Sequence, residues 1–378
     1  MQKLSNGEQV PLSVTEAGKP DEQACAEGTA GASTGTGSSA GSKIKHVLVG
    51  LKMLVSLSLL VYLLHRIEPG NFIQTIIEAR PTPLLWAALL FLTSNLLGSW
   101  LWGMLLKSQK VQIPFYRVAS FYFVGLFFNN FLPANIGGDI VRIYDASKYC
   151  RDRSAVFVAT FMDRVIGLLA ISFLAVVASV YSLDHYKIFL LYLTVVLGFC
   201  GSLIVVLSIL NRRILAVFEK PFRLIKAFDL ERRVVKLFDE LHSFRERVPL
   251  LLAVVSVAVG IQILRVLVHY LVALSLGIRI SPAYFFLFVP VLAALSALPI
   301  SINGLGVREG AGVVLFGLVG VARVDAFSIE FITYLISVVI SLSGGVIFIS
   351  RAPLGLLRKR NTSPDVERNP ANGSGGRN

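Results

Sequence analysis

The 378-residue chain is poor in charge and in the side chains that hold metals or form disulfides: 16% Asp, Glu, Lys and Arg, three cysteines and five histidines. Cys25, Cys150 and Cys200 lie far apart, at neither a metal-ligand spacing nor a disulfide spacing, so a disulfide scaffold and a cysteine-built metal centre are set aside. The chain has no Gly-x-Ser-x-Gly elbow, no Walker-type phosphate loop and no His/Cys/Asp metal spacing. These gaps leave no catalytic residue, metal or cofactor to expect. They also disfavour a nucleotide-driven pump within this chain, because no polar stretch is long enough for a nucleotide-binding domain. Residues 1–45 lack the apolar run of a secretory signal and are Gly/Ser/Thr/Ala-rich, as expected of a disordered tail. A second polar tail is expected over residues 352–378.

Apolar residues make up 54% of the chain, and the mean hydropathy of +0.70 is too high for an ordinary soluble domain. The chain is therefore expected to be an all-α polytopic membrane protein. Lys and Arg outnumber Asp and Glu 36 to 23, and much of the excess lies in short loops beside apolar segments. Such loops report orientation in a bilayer, and no nucleic-acid motif accompanies them.

Six segments are long enough to cross a bilayer core, which takes roughly 20 helical residues: Val47–Leu64, Leu84–Leu106, Ala155–Ser182, Ile188–Leu210, Leu250–Leu276 and Phe327–Ser350. Between the second and third lies Phe115–Ile140, and between the fifth and sixth Pro282–Gly320. Both are interrupted by one short polar string. Leu132–Arg142 aligns without gaps to Leu298–Arg308, with six of eleven positions identical. Helix breaks at matched places in two halves of a membrane protein point to a substrate site and hence to a translocator.

Loop charges set the expected topology. Lys43 and Lys45 precede the first span, Lys107, Lys110 and Arg117 follow the second, and Arg142, Lys148, Arg151 and Arg153 precede the third. For the last two sets to share the cytoplasmic side, the first broken segment must enter and return. The second must then enter from the opposite face, which makes the halves an inverted repeat of six to eight transmembrane helices with two re-entrant elements. Two Pro/Gly-kinked helices that each cross are the competing arrangement. Both termini are expected in the cytoplasm. Residues 212–247, with ten basic and six acidic side chains and Val234, Leu237, Phe238, Leu241 and Phe244 at helical spacing, are expected to form an amphipathic cytoplasmic connector.

At bilayer depth an unpaired backbone group costs several kcal/mol, so each break implies a polar interior. Gly137, Gly138, Gly304 and Gly306 permit close backbone approach and positive φ, and the helix N-termini after them suit an anion such as phosphate. Arg142 and Arg308 sit at matched places, and a guanidinium grips phosphate oxygens in two places. Arg142 has a second reading, as a topology charge paired with Asp139 one turn earlier. Glu309 follows Arg308 at once, where an unpaired charge is costly. Arg164 beside Asp163 is read as lining the cavity or snorkelling to the interface. Arg265 and His269, four apart in the fifth span, share a face; Arg265 is read as lining the cavity to meet the substrate, and His269 as a hydrogen-bonded packing residue. Asn129, Asn130, Asn135 and Asn303 supply amides to cap freed backbone or to bind a headgroup. If a proton gradient drives transport, Asp139 or Glu309 is the candidate carrier.

The strings Asn129–Asp139 and Leu298–Glu309, with Met162–Gly167, resemble the lysylphosphatidylglycerol synthase transmembrane-region family, from about His46 to Arg351. This is the flippase-like domain at the N-terminus of bacterial multiple-peptide-resistance proteins. The resemblance implies a multi-pass protein of a bacterial or archaeal cytoplasmic membrane that moves a lipid between leaflets, with an anionic headgroup as cargo and a lipid-modifying enzyme as partner. Aminoacylated phosphatidylglycerol is the substrate of the best-known members. Their aminoacyl-transferase domain is not matched here, so this chain is not expected to make lysyl-lipid. Two other functions stay open: a membrane component of a lipid-linked glycosyl- or aminoacyl-transferase, for which Asp229 and Glu231 are the acidic pair on offer, and a non-transporting scaffold.

Overall fold

A computed structural model describes residues 74–131, 137–150, 153–182, 189–210, 248–297 and 304–351. The expected first span, the 212–247 connector, both tails, Asn135 and Asn303 lie outside the described residues. Those described form nine helices: α1 (Pro81–Ser108), α2 (Phe115–Phe131), α3 (Gly137–Ser147), α4 (Arg153–Ser182), α5 (Phe189–Leu210), α6 (Val248–Ser275), α7 (Pro282–Ala297), α8 (Val307–Gly317) and α9 (Arg323–Arg351). No strand occurs among the described residues. Helices α1, α4, α6 and α9 are long and apolar enough to cross a membrane. At 28 residues, α1 and α6 each extend about 42 Å, more than a hydrocarbon core requires.

The starts of α6 to α9 follow those of α1 to α4 by 167, 167, 170 and 170 residues, so the short repeated string belongs to a repeat of four helices. Equivalent helix ends are built alike. Lys110 (φ 62) and Gly277 (φ 78) stand 167 residues apart, and each is followed by an N–H that donates five residues back, Val111 to the Leu106 carbonyl and Ile278 to the Ala273 carbonyl, both at 3.0 Å. These contacts close the last turns of α1 and α6. Pro81 and Pro83 start α1, where a missing N–H is harmless and φ is already helical.

Both broken segments turn back on themselves. In the first, Gly125 of α2 lies against Gly138 and Arg142 of α3, and Phe121 meets Tyr149 with ring centroids 5.9 Å apart. In the second, Phe285 and Phe288 of α7 both pack on Phe316 of α8, at 5.2 and 5.4 Å, while Gly304 sits over Ser296. Contacts whose residue numbers converge toward the break define antiparallel hairpins, not kinked crossings. The close packing at the first hairpin requires glycine, because a Cβ at position 138 would collide with the Gly125 carbonyl. In the second, Gly304 (φ 76) and Gly306 (φ 83) take the left-handed backbone that leads into α8.

The two hairpins enter from opposite ends of the bundle. Helices α1 and α6 run antiparallel, since the Arg80 N–H donates to the Ser275 carbonyl at 2.8 Å. Around the C-terminal half of α1 and the N-terminal half of α6, one core gathers Trp102, Leu105, Val254 and Ala258 with Val118, Phe121 and Ala146 of the first hairpin segment. The other core joins Ala87, Val268 and Val272 to Phe285, Phe288 and Phe316 of the second. Each hairpin also packs on the long helix of the opposite half, α2 on α9 and α7 on α4. Gly344 of α9 lies directly on the Phe123 carbonyl of α2, the close backbone approach that small residues allow between membrane helices. Outward faces carry exposed Leu85, Leu89, Val177, Ile204, Val339 and Val346, as expected where lipid is the solvent. Interior serines such as Ser94, Ser99 and Ser341 satisfy themselves on carbonyls of the preceding turn.

Candidate functional site: matched charge clusters at the two hairpins

Each hairpin is tied by an arginine to the long helix that follows it. Arg142, 3% exposed, donates to Asp163 of α4 at 2.8 Å, and its Nε lies 3.2 Å from Asp139. Its guanidinium lies over the rings of Trp102 and Tyr122, at 5.0 and 5.5 Å. Arg164 grips Asp139 with two hydrogen bonds, at 2.8 and 2.6 Å. Asp139, Arg142, Asp163 and Arg164 thus form a neutral quartet between α3 and α4. Arg164 is its outward member, with a side chain 56% exposed.

The second cluster has the same plan. Arg308 of α8 lies 3.2 Å from the carboxylate of Glu330 in α9, donates to the Glu330 carbonyl at 3.2 Å and to Glu309 at 3.0 Å, and faces the Tyr334 ring at 5.3 Å. The ion pairs Arg142–Asp163 and Arg308–Glu330 span 21 and 22 residues, so the repeat extends to its charged joints. Glu330 is fully buried, and neither of its oxygens receives a hydrogen bond. His269 of α6 faces it, Nε2 to Oε2 at 3.5 Å.

The helix N-termini after the breaks are occupied by the protein's own acceptors. The Asn129 amide oxygen accepts from the Gly138 N–H at 2.9 Å, across the first hairpin. One oxygen of Glu309 accepts from the Gly306 N–H at 2.6 Å, so this fully buried carboxylate serves as a helix cap. The amide nitrogen of Asn130 reaches the Ser337 carbonyl of α9 at 3.5 Å. Gly137 opens α3 with no side chain to offer.

Arg265 differs from the other arginines. It lies well inside α6, about 15 Å from the C-terminal end of that helix, and its Nε, like those of Arg142 and Arg308, is buried without a hydrogen-bond partner. Among the described residues no carboxylate pairs with it. Glu330, Trp102, Tyr122 and Tyr334 escaped the sequence reading. A signal existed for Glu330, since an acidic residue eight positions into a membrane span is a functional candidate by default. The three aromatics carry no such mark. No group of three or more His, Cys, Asp or Glu that suits a metal ion occurs among the described residues.

Comparison with known proteins agrees with this architecture. The chain is 25% identical over 333 residues to a UPF0104 membrane protein of Pyrococcus horikoshii, an alignment that covers 80% of this chain and 97% of the relative. The family model for the lysylphosphatidylglycerol synthase transmembrane region matches residues 49–344. With most of its length inside that match, inverted hairpins included, the chain belongs to the lysylphosphatidylglycerol synthase transmembrane-region family.

Proposed function

We propose that this protein is a lipid translocase, which passes an anionic headgroup between the two hairpins while the acyl chains stay in the bilayer. The observation that carries this reading is the pair of oppositely inserted hairpins, each latched by a buried arginine to one long helix and packed on the long helix of the other half. Such halves rock against each other around a shared midplane site, without ATP. Arg142 and Arg308 are paired with carboxylates of the following long helices and act as joints. Arg265, paired with no carboxylate among the described residues, is the guanidinium left to meet a phosphate, while the outward Arg164 is held by Asp139. Lys107, Lys110, Arg117, Lys148 and Arg351 all belong to the end at which the first hairpin enters, and this end is cytoplasmic by the positive-inside rule.

The test is leaflet exchange of fluorescent phosphatidylglycerol and phosphatidylcholine in proteoliposomes. Wild type exchanges the anionic lipid faster. Arg265→Ala, which removes a charged hydrogen-bond donor worth about 1.5–3 kcal/mol, slows that exchange roughly 10-fold or more. Absence of exchange for both lipids, from folded and monodisperse protein, overturns the reading.

A further inference from the structure

The His269–Glu330 contact assigns a site to one mobile proton. A backbone carbonyl can only accept, so Nδ1 of His269, 3.0 Å from the Arg265 carbonyl, must carry a hydrogen and donate it. In a neutral ring this leaves Nε2 as a bare lone pair, and Nε2 lies 3.5 Å from Glu330 Oε2. Two lone pairs brought together in a largely buried setting repel. The contact becomes favourable when one proton lies between them, on the imidazole or on the carboxyl. Neither oxygen of Glu330 accepts a hydrogen bond, and its cationic neighbour Arg308, with Nε 3.2 Å from the same Oε2, leaves Oε1 without a partner.

We propose that His269 and Glu330 bind a proton whose occupancy is linked to that of an anionic headgroup at Arg265; the linkage, though not the proton site, rests on the translocase reading above. The groups around the pair settle the sign. Arg308 and Glu309 come from α8, Glu330 and Tyr334 from α9, and His269 from α6, where Arg265 stands one helical turn earlier with its carbonyl at the imidazole. Helix α7 has no charged residue, and the one charged residue of α1, Lys107, lies at the far end. From α4, Asp163 and Arg164 are already engaged with Arg142 and Asp139. The formal charges of Arg265, Arg308, Glu309 and Glu330 cancel, so a bound proton makes the cluster +1 and a bound phosphodiester returns it to neutral. Without the proton the same phosphodiester leaves a net −1 in an apolar interior. Proton and anion therefore bind better together than apart, and the linkage is reciprocal. Asp139 and Glu309 are poorer carriers, because the first is held by two arginines and the second caps α8.

Two measurements on the purified full chain in detergent test this. The first needs no lipid. Infrared difference spectra and proton titration between about pH 5.5 and about pH 8, the range in which imidazole exchanges protons, should show a proton in wild type that is missing in Glu330→Gln and in His269→Gln. Either variant serves if the other fails to fold, and an unchanged titration in both overturns the site. The second is the affinity for dioctanoyl-phosphatidylglycerol at both ends of that range. It should rise at least about fivefold toward low pH in wild type and lose this dependence in the variants. Binding that needs Arg265 but ignores pH overturns the linkage and leaves the translocase reading standing. No binding at either pH, with the proton detected, overturns the lipid reading and keeps the proton site.

Discussion

Arg142→Met removes the guanidinium that joins α3 to α4 and leaves the Asp163 carboxylate, 15% exposed, without the cation now 2.8 Å away. Asp139 keeps its two bonds to Arg164, so the loss falls on Asp163 and on the Trp102 and Tyr122 faces. Stranding one member of a buried ion pair costs about 3–5 kcal/mol, whereas replacing both members is often close to neutral. Asp163→Asn in the same chain should therefore recover at least about 2 kcal/mol of the loss caused by Arg142→Met. Unfolding titrations in mixed micelles, followed by circular dichroism, measure the wild type, both single variants and the double variant as one thermodynamic cycle. Leaflet exchange adds a second readout. If Arg142 is a joint, the stable double variant still moves phosphatidylglycerol. A double variant as unstable as Arg142→Met alone refutes the ion-pair reasoning, and one that is stable but inactive returns Arg142 to the headgroup.

Gly138→Ala should destabilise the first hairpin by roughly 1–3 kcal/mol, the usual cost of overpacking, because the new methyl group meets the Gly125 carbonyl. Gly260→Ala in α6, where nothing lies within 4 Å of the added carbon, should be neutral or stabilising by about 0.5–1 kcal/mol; equal losses from the two in the same unfolding assay would discount the close contact. Single cysteines placed within 277–281 and 323–325 of an otherwise cysteine-free chain should react with an impermeant thiol reagent from the same side of oriented vesicles, since α7 and α8 form a hairpin. Labelling from opposite sides would mean that the second broken segment crosses.

Much of the architecture was legible in the residues. Spans α1, α4, α6 and α9 were placed within about four residues at each end, because burial in lipid demands a long uninterrupted apolar run, which is plain in one dimension. The repeated Leu-Pro string located both hairpin breaks, and the loop charges indicated that the segments enter from opposite faces. Asp139 was also read as the partner of Arg142, one helical turn away, and their ion pair is present at 3.2 Å.

What escaped the sequence were the partners across helices. Arg142 meets Asp163, Arg164 meets Asp139, and Arg308 and His269 converge on Glu330. Helical periodicity places a side chain on a face but does not say which helix that face will meet. The partners lie 21 to 61 residues apart and are brought together only when the hairpins fold back against α4, α6 and α9. The same packing separates the arginines: Arg142, Arg265 and Arg308 look alike as letters, and only the placing of the carboxylates leaves Arg265 without a counter-charge among the described residues. Apolar runs act on each segment by itself, whereas an ion pair depends on where two segments end up.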